Sequence, residues 1–141
     1  MARLPLYVFT ALQIAGLGGL IWLLVAWKGP WNPERYAGTV LAVLGAAFIV
    51  MARFQLGRSF SITPQAHRLV TRGIYSKIRN PIYVSGTVLL IGLILVLQKP
   101  VLWFFVIVMV AAQTLRARRE ARVLEAAFGD EYRAYRRKTW F

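Results

Sequence analysis

The stretch PIYVSGTVLLIGLILVLQKPVLWFFVIVMVAAQTL, residues 81–115, decides the fold. Its one charge is Lys99, which with Pro100 makes a turn between two apolar runs, 81–98 and 101–115. A membrane core takes about 20 helical residues to cross. Each run is shorter, but the basic side chains flanking it reach the interface by snorkelling, so each reads as a span. A turn of two or three residues makes the pair an antiparallel hairpin.

Upstream of the hairpin, residues 53–80 form a polar loop with Arg53, Arg58, Arg68, Arg72, Lys77 and Arg79 and no acid. Before it, residues 36–52 read as another span. Gly38, Ala42, Gly45 and Ala46 recur along it at spacings of three and four, which allows close helix contact in lipid. Gly16 and Gly19 offer the same on the first apolar run, 4–27, although glycine and alanine are also common in membrane helices generally. That first run exceeds a signal-peptide core, and no small-residue cleavage site precedes the next charges, so it is read as a retained helix. Trp22, Trp27 and Trp31 cluster at its far end, where amphipathic rings favour the interface.

Downstream, residues 116–141 turn charged and amphipathic. Val123, Leu124, Ala127 and Phe128 make one apolar stripe, Gly129 suits a helix C-cap, and a second short piece runs through Tyr132 and Tyr135 to Trp140. The expected fold is thus all-α: an integral membrane bundle of four transmembrane helices with a cytoplasmic C-terminal amphipathic helix. It is one domain, 1–141, with spans near 4–27, 36–52, 81–98 and 100–115. The basic loop and tail face the cytoplasm by the positive-inside rule, and so do both termini of a multi-pass protein of the cell (inner) membrane.

Composition agrees. Hydrophobic residues make up 58% of the chain and mean hydropathy is +0.54, more apolar surface than a soluble domain of this size can hide. There is no cysteine and one histidine, His67; thiolate metal sites are excluded and no metal centre is expected. The net charge of +13 fits nucleic acid or an anionic membrane surface. Because the charges lie between and after apolar runs, the expected partners are membrane lipids and no nucleic acid. No acid, lysine or arginine lies within the core of a span, which counts against a proton-coupled transporter or ion channel.

The polar candidates cluster at the cytoplasmic face. Pro81 suits the first turn of a helix and Asn80 its N-cap, and the pair is equally an ordinary helix start. Arg116 and Glu120 share one face of the helix leaving the membrane. They are either a surface ion pair or a carboxylate and a guanidinium held for a ligand.

The segments His67-Arg68-Leu69-Val70-Thr71-Arg72-Gly73-Ile74-Tyr75 and Arg79-Asn80-Pro81-Ile82-Tyr83-Val84-Ser85-Gly86, followed by Glu120 eight residues before Phe128-Gly129-Asp130-Glu131-Tyr132, resemble the isoprenylcysteine carboxyl methyltransferase family. The related phospholipid N-methyltransferases share the pattern, which covers residues 55–141. The resemblance implies an S-adenosylmethionine pocket roofed by loop and tail. His67, Arg68, Leu69, Val70 and Tyr75 would line it, and Asn80, Pro81, Ile82 and Tyr83 would form the helix-mouth contact. Glu120 would hold the charged methionyl end, and Arg116 would face the acceptor, in the family a prenylcysteine carboxylate. The family usually has Arg-His-Pro where this chain has Arg79-Asn80-Pro81, and paired glutamates where it has Glu120-Ala121. Asparagine cannot titrate near neutral pH, so a histidine acid–base role is absent there.

Transfer from an activated sulfonium needs alignment more than a metal or covalent intermediate. Tyr75 and Tyr83 offer ring faces to a sulfonium or adenine, and the amides at the mouth of the third helix offer donors for a carboxylate. A greasy acceptor, lipid-like or prenylated, arrives through the bilayer, and the basic surface favours a carboxylate over an amine. Two other readings stay open: a sterol-reductase-type NADPH oxidoreductase, and a non-catalytic membrane scaffold.

Overall fold

The computed structural model describes residues 6–56 and 69–141. Four helices hold nearly all of them: α1 (Leu6–Ala26), α2 (Pro33–Leu56), α3 (Pro81–Leu97) and α4 (Trp103–Lys138). Short 3-10 turns lie at Gly73–Ser76 and Pro100–Leu102. Among the described residues there is no β-strand, and one isolated parallel bridge joins Ile78 to Trp140. The chain is all-helical, as expected. Helices α2 and α4 are long and apolar enough to cross a membrane, and α3 and the Ile14–Ala26 part of α1 are shorter apolar helices. At 17 residues, α3 spans about 25 Å.

Local chemistry sets the helix ends. The Asn32 side chain accepts the Arg35 amide at 2.9 Å and caps α2, with Pro33 in the first turn. Pro81 opens α3, and Gln98 closes it in the left-handed conformation (φ 53°). Helix α4 contains a break the apolar stripe alone does not require: Gly129 has φ 49° and ψ −120°, a region open almost only to glycine. The break redirects the last turns of the tail.

The tightest packing is between α2 and α3. Gly38, Ala42, Gly45 and Ala46 are buried on α2, and Gly92 is buried on α3. A Cβ on Gly45 would stand 2.6 Å from the Leu89 backbone nitrogen, and one on Gly38 2.7 Å from the Gly92 carbonyl oxygen. Backbone therefore lies on backbone, and Leu24, Ala42 and Val96 form the buried centre with Leu20, Trp27, Leu89 and Leu93 around it. The small-residue reading holds for α2 and fails for α1. A Cβ on Gly16 or Gly19 would meet nothing within 4 Å, because α1 meets the core through Leu20, Leu24 and Trp27 near its C-terminal end. The outward faces of α2 and α4, with Val40, Val43, Phe48, Phe104, Phe105 and Ile107 exposed, form the apolar surface that lipid would cover.

A buried arginine ties α1 to α2. Arg35 is 1% exposed. Its guanidinium donates to the carbonyls of Leu24 (3.2 Å), Trp27 (2.7 Å) and Gly29, and lies 3.9 Å from the Trp31 ring centroid. It thus satisfies carbonyls that the end of α1 leaves without helical partners. Beside it, the Gln98 amide donates to Asn32 Oδ1 at 2.7 Å, joining the end of α3 to the start of α2.

The glycine contact predicts that Gly45→Ala costs about 1–3 kcal/mol, the range for overpacking a close contact. Gly18→Ala, where a Cβ meets nothing, leaves stability unchanged or raised. Denaturant titration in detergent followed by tryptophan fluorescence measures both.

Candidate functional site

The site lies where the start of α3, the middle of α4, the 3-10 turn and the tail converge. Arg116 and Glu120 sit four apart on α4, and Arg116 Nε donates to Glu120 Oε1 at 3.0 Å. The same oxygen accepts the Tyr83 hydroxyl from α3 at 2.7 Å, and the Arg116 guanidinium carbon is 5.9 Å from the Tyr83 ring centroid. An exposed pair of this spacing is worth well under about 1 kcal/mol. This pair is half-buried and shared with a second helix, so it fixes the carboxylate in place. Among the described residues nothing hydrogen-bonds Glu120 Oε2. Further along the helices, the Thr87 hydroxyl lies 3.0 Å from Gln113 Oε1, and Gln113, Arg116 and Glu120 follow one another on the face that meets α3.

The 3-10 turn is held from two sides. Gln55, at the end of α2, accepts the Ile74 amide at 2.7 Å. Gly73 adopts φ +62°, and a Cβ there would collide with the Gln55 side chain, so only glycine fits the position. From the other side the Tyr135 hydroxyl donates to the Tyr75 carbonyl at 2.6 Å. Tyr75 is buried. Burial pushes its hydroxyl above the usual tyrosine range; the neighbouring Tyr135 and the Glu120 carboxylate add to the rise and Arg53 opposes it. Arg53 and Glu120 therefore both act electrostatically on Tyr75, in opposite directions.

The tail also closes on the mouth of α3. The Arg79 and Asn80 amides donate to the Trp140 and Phe141 carbonyls, both at 2.9 Å, and the Trp140 amide donates to the Lys77 carbonyl at 2.8 Å. These bonds correct two expectations. Asn80 stands at the N-cap position, but its side chain makes no cap bond (φ −121°, ψ 59°); its carbonyl accepts the Tyr83 and Val84 amides instead. The Arg79 and Asn80 amides are not donors open to a ligand carboxylate, because the tail already uses them.

Of the residues singled out in the sequence, Tyr83, Arg116 and Glu120 touch one another. Asn80, Pro81 and Ile82 are at the mouth directly before Tyr83, with Pro81 buried. Tyr75 is in electrostatic reach of Glu120, and Leu69 and Val70 lead into its turn half-buried. His67 and Arg68 lie outside the described residues. Sequence reasoning missed Gln55, Arg53 and Tyr135 as parts of this site. The available signal was Gln55 itself, an amide between Phe54 and Leu56 at the end of an apolar helix.

The arrangement is a site with one fixed carboxylate, one guanidinium and two tyrosines, built on an all-helical frame. The family model for phospholipid methyltransferases matches residues 32–131, which include every described candidate residue. The chain belongs to the phospholipid methyltransferase family, a class of membrane methyltransferases. A comparison with curated proteins gives no match.

Burial holds the Tyr135 hydroxyl up to about 12, with Tyr132 adding and Arg79 opposing. A tyrosine unfolds to a pKa of about 10. Because the folded value is higher, the stability it contributes is present below pH 10 and is lost as pH rises through about 12. A wild-type minus Tyr135→Phe difference titration at the tyrosinate absorption band should show one group ionising near 12. A step near 10 contradicts the burial of that hydroxyl.

Proposed function

We propose that the protein transfers a methyl group from S-adenosylmethionine to a lipid-like acceptor at the cytoplasmic edge of the cell membrane, with four spans and both termini on the cytoplasmic side. The observation that carries this reading is the Tyr83–Glu120–Arg116 cluster within the family match. The cofactor, when bound, supplies an activated methyl on a sulfonium. The residues fit such a group: Glu120 Oε2 is the spare acceptor for an ammonium, while Tyr83 and Arg116 hold its other oxygen still. Tyr75, Leu69 and Val70 supply a largely apolar wall, and Asn80, Pro81 and Ile82 the mouth of α3. His67 and Arg68 join them by resemblance.

The chain's part in the chemistry is to bind, orient and exclude water. Arg116 has its Nε on Glu120 and brings a positive charge to the site, which suits an anionic acceptor group. Asn80 cannot take a proton near neutral pH, and Tyr75 holds its own well above that range. Neither serves as a general base. A carboxylate acceptor arrives already ionised and needs none, whereas an ammonium must first lose a proton. This favours a prenylcysteine-like carboxylate. The second reading, a phospholipid amine, is favoured by the description of the matched family.

Binding and transfer test the reading together. Calorimetry on the purified protein should show S-adenosylmethionine binding that NADPH does not displace. Glu120→Ala should weaken it by about 10- to 100-fold, the range for losing a hydrogen bond to a charged group. Unchanged binding in that variant, or displacement by NADPH, rejects the assignment, and binding of neither cofactor supports the scaffold alternative. Radiolabelled methyl transfer to a farnesylcysteine analogue, set against phosphatidylethanolamine, separates the two acceptors.

A further inference from the structure

Helix α4 has a second polar face that the site does not use. Arg118, Arg119 and Arg122 are all exposed. At 100° per residue they fall within an arc of about 100°, and Arg116 and Glu120 point away from it toward α3. Among the described residues no carboxylate lies within ion-pair distance of any of the three. Glu120 faces α3, and the acid on the same arc of the helix is Glu125, three residues after Arg122, but it is drawn off. Arg133 Nε donates to Glu125 Oε1 at 2.8 Å, and Arg136 approaches Glu125 Oε2 at 4.0 Å. Asp130 is taken by Arg133 as well, at 3.2 Å. The break at Gly129 brings these tail arginines back onto the acids. The chain thus pairs Arg133 and Arg136 internally and, among the described residues, leaves the proximal row without a carboxylate partner.

Depth gives that row its partner. The apolar part of α4 runs from Trp103 to Leu115, about 20 Å at 1.5 Å per residue. The hydrocarbon core is about 30 Å thick. With Trp103 at one interface, Arg118 and Arg122 stand about 22 and 28 Å along the helix, just short of the opposite boundary of the core, from where their long side chains snorkel out to the headgroups of that leaflet. Planar guanidinium groups pair with phosphate oxygens two bonds at a time. A zwitterionic headgroup brings its own cation to that face and an anionic one does not.

We propose that Arg118, Arg119 and Arg122 form a docking face for anionic phospholipid headgroups, on the side of α4 opposite the methyl-transfer site. The face holds the short apolar segment of α4 at a fixed depth in the thicker hydrocarbon core. It stands apart from the catalytic reading, since it requires neither cofactor nor turnover.

Spin-labelled lipids test it on the full chain reconstituted in phosphatidylcholine vesicles. A labelled phosphatidylglycerol should be motionally restricted by the protein several-fold more than a labelled phosphatidylcholine. The preference should fall stepwise as the arginines are neutralised, vanishing in the variant Arg118→Gln/Arg119→Gln/Arg122→Gln, and should shrink in 1 M salt, where the Debye length is about 3 Å. Arg133→Gln/Arg136→Gln, which removes arginines already paired, should retain it. Far-ultraviolet circular dichroism and tryptophan fluorescence of the triple variant serve as the folding control and should be unchanged. Equal restriction of both labels by the wild type, or a preference that survives the triple substitution, overturns the proposal.

Discussion

The rest of the structure depends on backbone meeting backbone between α2 and α3. In lipid, apolar side chains gain little by leaving one apolar surroundings for another. What holds two helices together is contact at short range, and only residues without bulk allow it. Gly38, Gly45 and Gly92 remove the atoms that would keep the two axes apart. The contact gives the molecule a stiff pair to which weaker parts are attached. Helix α1 hangs on it through Arg35 and a few apolar side chains, and α4 leans on it through polar side chains near the candidate site.

At the other level of organisation, polar bonds do what packing does not. The 3-10 turn has few apolar anchors of its own, yet it is fixed by Gln55 from the helix before it and Tyr135 from the tail after it. The tail's last residues complete backbone bonds that the loop before α3 leaves open. A site assembled from such ties is precise only while both of its basic segments are present. That explains why segments far apart in the chain form one unit around Tyr75 and Glu120.

The all-helical class, the apolar hairpin and the small-residue face of α2 were legible because each is a local pattern: a run length, a turn, a spacing. The Arg116–Glu120 pair was legible for the same reason. What the sequence did not show is which surfaces meet. Spacing marks Gly16 and Gly19 as much as Gly38 and Gly45, but only the latter have a neighbouring helix against them. Tyr83 joins Glu120 across 37 residues and Gln98 joins Asn32 across 66; no periodicity encodes either pairing. Asn80 shows the limit in another way. Its identity suits a cap, but the tail and the helix amides claim its backbone first.

Helix α3 is fastened at both ends as well as along its length: Gln98 to Asn32 at one, and Arg79 and Asn80 to the tail at the other. A rod pinned in that way cannot slide along its own axis without breaking bonds at both extremities together. Any opening needed to admit one molecule and release another therefore has to come from a movement other than an axial shift of α3. The frame is in this sense set by where its hydrogen bonds terminate.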